Sequence, residues 1–255
     1  MSQIFHEFIA AIAFYSTLPM PHGWCKDFRW AARWVVAVGL VLGSILTSLD
    51  FGLSWLGMSS LSRSSLVVAV WVGLTGGLHL DGAMDAADGL AVQDPSRRLA
   101  VMADSATGAF GAMSAIIILL LKTSALNDLN QSRWLILVLV MGWSRWGQMV
   151  AIARYPYLKP TGKGAFHHHA VNSFRDTIPS GLILLLLSGM TLLIHGSQWW
   201  LGVPLALGLM ILGPGVAYII GAWFNHQLGG HTGDTYGAVV EWTESLLLIG
   251  LTLID

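Results

Sequence analysis

The chain has 255 residues, 55% of them hydrophobic and only 11% charged, with 12 tryptophans and 29 glycines. A soluble domain carries about 25% charged residues, so this composition excludes an ordinary soluble enzyme and implies a polytopic membrane protein. The formal net charge of -1 gives no electrostatic basis for a nucleic-acid partner, and the single cysteine, Cys25, excludes an intrachain disulfide.

The N-terminus carries Glu7, lacks a basic leader and reaches LPMP without an Ala-x-Ala-like site, so it does not read as a secretory signal. Phe5, Phe8, Ile9 and Ile12 recur at helical spacing until Pro19 and Pro21 stop the helix. This first helix is short and is expected in the interface or as a re-entrant element. Apolar runs follow near 32–51, 65–81, 108–126, 134–153, 180–196, 199–222 and 238–254. Each is close to the ~20 residues a bilayer requires, and several hold Gly, Ser and Thr, which allow close helix packing in lipid. The expected fold class is therefore all-α: a polytopic integral membrane protein with about seven transmembrane helices plus the short N-terminal helix. With neither linker nor repeat, residues 1–255 read as one domain.

If the seven spans alternate, residues 21–33, 82–107, 154–179 and 223–237 share one side. Those segments hold Lys26, Arg29, Arg33, Arg97, Arg98, Arg154, Lys159, Lys163 and Arg175, against Arg63 and Arg133 opposite. The bias makes the richer side cytoplasmic, and the segments densest in Asp, His and Gly fall on it.

The first of these segments reads GGLHLDGAMDAADGL over 76–90. Asp81, Asp85 and Asp88 follow one another at i, i+4 and i+7, within roughly 60° on one helix face. Carboxylates so placed repel unless a cation lies between them, and Mg²⁺ or Mn²⁺ suits an all-oxygen site. A solvated helix end is the plainer reading. His79 lies almost opposite Asp81 on an ideal helix, as a ligand or as a packing residue. Asp104, in MADSATGAFG, either closes the metal site from a neighbouring helix or caps the next one.

The segment GGHTGDTYGAVVEWTE over 229–244 places Asp234, Glu241 and Glu244 as a second acidic face entering the last span. Acids inside a membrane are costly and functional by default. The loop Gly230, His231, Thr232 and Gly233 resembles one whose backbone amides cradle phosphate. Asp234 has no basic neighbour in sequence, which points to an ion or a substrate hydroxyl as its partner, or to a simple cap. Between the two acidic segments, RYPYLKPTGKGAFHHH over 154–169 supplies Lys159 and Lys163, either for an anionic, partly aromatic substrate or as positive-inside loop charge. Adjacent histidines do not converge on one ion, so the HHH run is not a metal site.

HLDGAMDAADG at 79–89 resembles the HxDGxxDxxDG signature of the cobalamin synthase family, the adenosylcobinamide-GDP ribazoletransferases of vitamin B12 assembly. FIAAIAFYSTLPMP at 8–21, MADSATGAFG at 102–111 and GGHTGDTYGA at 229–238 extend the likeness over nearly the whole chain. It departs at 154–169, where the family has an acidic EGLG-like stretch and this chain has KPTGKG. The resemblance implies that the ribose hydroxyl of α-ribazole, or of its 5′-phosphate, attacks the corrinoid-side phosphorus of adenosylcobinamide-GDP and releases GMP. It also implies an inner-membrane location, lipid contact and Mg²⁺, and leaves homo-oligomerisation open.

On this reading the catalytic candidates are Asp81, Asp85, Asp88, Asp104 and Asp234. Metal would fall to Asp81, Asp85, Asp88 and Asp104, and substrate to His79, Gly230, His231, Thr232, Gly233, Lys159 and Lys163. The competing expectations are a phosphotransferase acting on CDP-alcohols and an ion-coupled transporter with acids distributed through its spans.

Overall fold

The structure is a computed structural model that describes residues 3–25, 27–129, 131–159, 170–196 and 198–254. Its elements in chain order are α1 (Gln3–Tyr15), α2 (Val35–Trp55), α3 (Ser60–Leu74), α4 (Leu78–Ala91), the single turn α5 (Arg98–Val101), α6 (Ala109–Asp128), α7 (Arg133–Arg154), α8 (Ile178–Gly189), α9 (Thr191–His195), α10 (Trp199–Leu228) and α11 (Gly233–Leu251). The described residues contain no β-strand beyond an isolated parallel bridge between Tyr157 and His231. The all-α, polytopic expectation holds.

Among the described residues, five helical stretches are long and apolar enough to span a membrane: Phe28–Trp55, Ala109–Asp128, Arg133–Arg154, Phe174–His195 and Trp199–Leu228. The run expected at 65–81 is not one straight helix. The chain turns through 88° between α3 and α4, because Gly76 and Gly77 have φ of 61° and 71°, a region where side chains beyond glycine are strained. If that bent pair crosses the membrane as one unit, the spans number six. The seventh expected run became α11, whose Asp234, Glu241 and Glu244 make it too polar to qualify. It is wrapped by the bundle, with its residues buried from Tyr236 to Leu248 on most faces.

Helix α7 is the axis: 89% of its apolar window is buried, against 28–44% for the other four spanning stretches. Helix α2 lies tight against it at Gly39 and Gly43, where a Cβ would come within 2.5 Å of Met141 O and 2.7 Å of Val138 Cα. Small residues four apart allow such contact where lipid offers no hydrophobic drive. Phe51, Trp55, Leu120, Leu186 and Ile211 point outward, as lipid-facing side chains do.

Two of the three acids expected to form a second functional face, Glu241 and Glu244, are held in a buried ion network. Lys122 Nζ donates to Glu241 Oε2 at 2.6 Å and to Glu244 Oε2 at 2.5 Å, and Arg145 Nη1 donates to Glu244 Oε1 at 2.6 Å. The network ties α6, α7 and α11 together, with Lys122 also 4.4 Å from the Trp71 ring centre. Two cations against two anions make a neutral set, the condition under which charge persists in such a core. Elsewhere Asp50 is flanked by Arg133 at 2.5 Å and Arg63 at 3.3 Å.

Candidate active site

Helix α4 crosses α11 so closely that both contact points must be glycine. A Cβ on Gly82 would stand 2.5 Å from Asp234 O, and one on Gly237 would stand 2.8 Å from His79 O. This crossing brings the acidic face of α4 beside the first turn of α11, although 146 residues separate Asp88 from Asp234 (234 − 88).

Asp81, Asp85 and Asp88 occupy one face of α4, as their spacing implies, but their surroundings differ. Asp81 is exposed in the first turn. Asp85 is half-buried, and its pKa is pushed up to about 6, first by burial and then by the charges of Asp81 and Asp234, with Asp88 adding to them and Lys159 opposing. Asp88 is engaged: its Oδ2 accepts from Gly108 N at 2.7 Å and its Oδ1 from Gly111 N at 2.8 Å. It therefore caps the N-terminus of α6, where a carboxylate is favoured by unpaired amides and the helix dipole. A Cβ on either glycine would run into the Asp88 carboxylate, which explains both glycines.

Asp104 stays within its own turn, where Oδ1 accepts from Ala106 N at 3.0 Å. Among the described residues, no three His, Cys, Asp or Glu side chains are grouped to hold one metal ion. The four-aspartate metal set is thus not assembled as expected.

Asp234 has a cationic partner that sequence proximity did not disclose: Lys159 Nζ donates to its Oδ2 at 3.0 Å. Thr232 Oγ1 donates to the same oxygen at 3.1 Å. Nor is Asp234 the cap of α11. Thr232 is, through a reciprocal capping box with Thr235.

Two amides of the glycine-rich loop, those of His231 and Thr232, are committed within the protein. His231 N donates to Pro156 O at 2.8 Å, Leu158 N donates to His231 O at 2.8 Å, and Thr232 N donates to Thr235 Oγ1 at 2.8 Å. Gly230 is pressed against Pro156 and Leu158. The His231 ring is fully buried between Tyr155 and Tyr236, with Nδ1 3.0 Å from Thr235 Oγ1 and Nε2 3.1 Å from Gly221 O. Burial lowers its pKa to about 4. Gly230, His231 and Thr232 therefore hold the loop to residues 156–158 and carry Lys159 towards Asp234. Their expected substrate contacts are replaced by protein contacts. Lys163 and the HHH run lie outside the described residues.

Beneath the carboxylates is a cavity of about 380 Å³ between α1, α4, α7 and α11. Phe14, Tyr15 and Tyr236 line it, together with His79 and Gln148, and Asp81, Gly233 and Asp234 line it too. His79 is buried and stacked on Tyr15 with ring centres 6.3 Å apart. Among the described residues, neither His79 ring nitrogen nor Gln148 Oε1 has a hydrogen-bond partner.

Residues 7–252 match the cobalamin-5-phosphate synthase family. The chain belongs to that family. It is 58% identical to an adenosylcobinamide-GDP ribazoletransferase of Trichormus variabilis over 96% of both chains. It is 50% identical to the protein of that name from Thermosynechococcus vestitus over 99% of this chain and 98% of the relative. For the Synechocystis sp. relative the identity is 48% over 96% and 94%. No solved structure matches the chain. In this synthase family member the site residues that sequence reasoning missed are Gln148 and the aromatic walls. A lone amide within the apolar run of α7 was the signal available for Gln148; Tyr15 and Tyr236 gave none, since aromatics are common in buried helices.

Proposed function

We propose that this chain is an adenosylcobinamide-GDP ribazoletransferase of the cytoplasmic membrane. It joins adenosylcobinamide-GDP to α-ribazole, or to α-ribazole 5′-phosphate, and releases GMP. The observation that carries the reading is the crossing of α4 on α11, which sets Asp81 and Asp234 on the lining of one cavity, with Lys159 paired to Asp234 and Asp85 in the field of all three. Its support is the family match, since relatives covering nearly the whole chain carry that name.

The ribose hydroxyl oxygen forms a bond to the corrinoid-side phosphorus, and the bond from that phosphorus to the bridging oxygen breaks, so that GMP departs. The chain's own residues orient the two partners, a contribution worth several orders of magnitude in rate. Lys159 sets a cation beside the reacting phosphates, and the mouth carboxylates take up the hydroxyl proton.

Mg²⁺ belongs to the proposal. The donor set fits it in a limited form: Asp88 is committed to α6 and Asp104 to its turn, which leaves Asp81 and Asp85. Mg²⁺ is commonly held by one or two carboxylates together with water and substrate phosphate oxygens. The pKa of Asp85 is raised first by burial and then by the negative charges of Asp81 and Asp234, and a bound cation would favour its charged form. When bound, the ion would neutralise charge developing on the diphosphate.

The cytoplasmic orientation rests on the nine basic residues of that side. The transporter alternative expects acids distributed through the spans; Glu241 and Glu244, both in α11, are paired with Lys122 and Arg145. The test is to supply purified protein in lipid nanodiscs with adenosylcobinamide-GDP, α-ribazole and Mg²⁺. GMP and adenosylcobalamin should appear together in equal amounts. Release of CMP from a CDP-alcohol, with no GMP from the corrinoid, would replace the proposal with the lipid head-group alternative.

A further inference from the structure

The cavity below the carboxylates, about 380 Å³, falls within the ~300–1,000 Å³ of small-ligand pockets. Its walls are aromatic. Phe14 and Tyr15 come from α1, and Tyr236 comes from α11. Tyr236 is held by two stacked rings, with His231 5.4 Å and Tyr157 5.9 Å away between centres, at interplanar angles of 13° and 23°. A wall held this way is rigid, and flat aromatic ligands are favoured against such faces.

The interior is otherwise unusual for a helix bundle, because it leaves polar atoms without partners among the described residues. His79 is 1% exposed and Gln148 3% exposed. An uncharged imidazole presents one donor and one acceptor, and Gln148 Oε1 presents an acceptor. Buried polar groups without partners are destabilising and rare in folded proteins. A ligand carrying hydroxyl groups, each both donor and acceptor, would satisfy them. The mouth of the same cavity is formed by Asp81 and Asp234, so a ligand filling it emerges beside the acidic face and Lys159.

We propose that this cavity is the subsite for the nucleophile, a nucleoside whose planar heterocycle lies between the aromatic walls while His79 and Gln148 hydrogen-bond its polar groups. The corrinoid diphosphate then approaches from outside, across the mouth. His79 and Gln148 are positioning residues for the nucleoside, with no part in bond making. The assignment rests on the ribazoletransferase reading for the identity of the nucleoside, α-ribazole; the pocket's shape and its unpartnered atoms stand apart from that reading.

Equilibrium dialysis with labelled α-ribazole tests it without turnover, using full-length protein in nanodiscs. The wild type should bind, and Gln148→Leu and His79→Phe should each weaken binding by about tenfold or more. Gln148→Leu removes an unpartnered acceptor, so its thermal stability should equal or exceed wild type. In steady state, its KM for α-ribazole should rise by about tenfold while KM for adenosylcobinamide-GDP stays within about twofold. Unchanged α-ribazole binding in both folded variants would overturn the proposal. So would weakened binding of GMP in place of α-ribazole, which would assign the pocket to guanosine. A wild type that does not bind α-ribazole also ends it. Binding that follows the expected pattern in a protein releasing no GMP would instead remove the transferase reading and leave the nucleoside pocket standing.

Discussion

Lys159 Nζ lies 3.0 Å from Asp234 Oδ2, an ion pair closed across 75 residues of chain. The pair is part-buried, and it stands where α4, α11 and the segment after α7 meet. Lys159 is also the cation that opposes the raised pKa of Asp85. One lysine facing Asp81, Asp85 and Asp234 leaves the mouth negative, which suits a site that takes up a metal ion together with its phosphorylated substrate.

Asp234→Asn should lose about a hundredfold in kcat, or ~2.7 kcal/mol of transition-state stabilisation, with thermal stability unchanged. The stability half of this expectation follows from the observation that Thr232, not Asp234, caps α11. Thr232→Ala should show the converse, a loss of about 0.5–2 kcal/mol in stability. A destabilised Asp234→Asn protein with full activity would remove Asp234 from the reaction.

Asp88 and Asp85 should separate in the same way. Asp88→Ala strips the cap of α6 and should lower stability by about 1–2 kcal/mol. Gly111→Ala should do the same, because its methyl group would displace the Asp88 carboxylate. Asp85→Asn removes a repelled charge, so its stability should be equal or higher while turnover falls. Thermal unfolding and GMP release, measured on the same preparations, check all three. Equal destabilisation by Asp85→Asn and Asp88→Ala would contradict the division.

What the sequence disclosed and what it hid divide along physical lines. Spans and the shared face of Asp81, Asp85 and Asp88 follow from periodicity, which is local. The break at Gly76–Gly77 was written as a glycine pair but read as part of a span, because glycine is common in membrane helices. The partners of Glu241, Glu244 and Asp234 lie 119, 122 and 75 residues away, and no local pattern reports them. The glycines of 229–233 suggested a phosphate loop, but the amides of His231 and Thr232 are spent on Pro156 and Thr235. Composition marks a tight backbone without saying what it is tight against.

The buried network gives a prediction that tests packing apart from chemistry. Lys122→Met leaves Glu241 and Glu244 facing Arg145 alone, and breaking a buried pair in this way costs about 3–5 kcal/mol. Adding Glu241→Gln restores charge balance, with Glu244 still held by Arg145, and should recover a large part of that loss. Unfolding in nanodiscs reads both variants. A double variant no more stable than Lys122→Met would show that geometry, not charge balance, sets the cost.

The last prediction joins the acidity of Asp85 to metal. Its folded pKa of about 6 stands above the ordinary 3.8, so folding favours the protonated form. That contribution to stability is fully present below 3.8 and is lost as pH rises through about 6. In EDTA, wild type should therefore lose stability relative to Asp85→Asn across that interval, and the two curves should run parallel on either side. Mg²⁺ held at Asp81 and Asp85, as proposed, would favour the charged form of Asp85, so adding it should close the gap above about pH 6 for wild type and leave Asp85→Asn unmoved. Turnover should vanish in excess EDTA and return with Mg²⁺. Scanning unfolding temperature from about pH 4 to about pH 8, with and without the ion, decides the matter. A gap that persists in saturating Mg²⁺ would mean that Asp85 does not touch the metal, and full turnover in EDTA would mean that the reaction needs none.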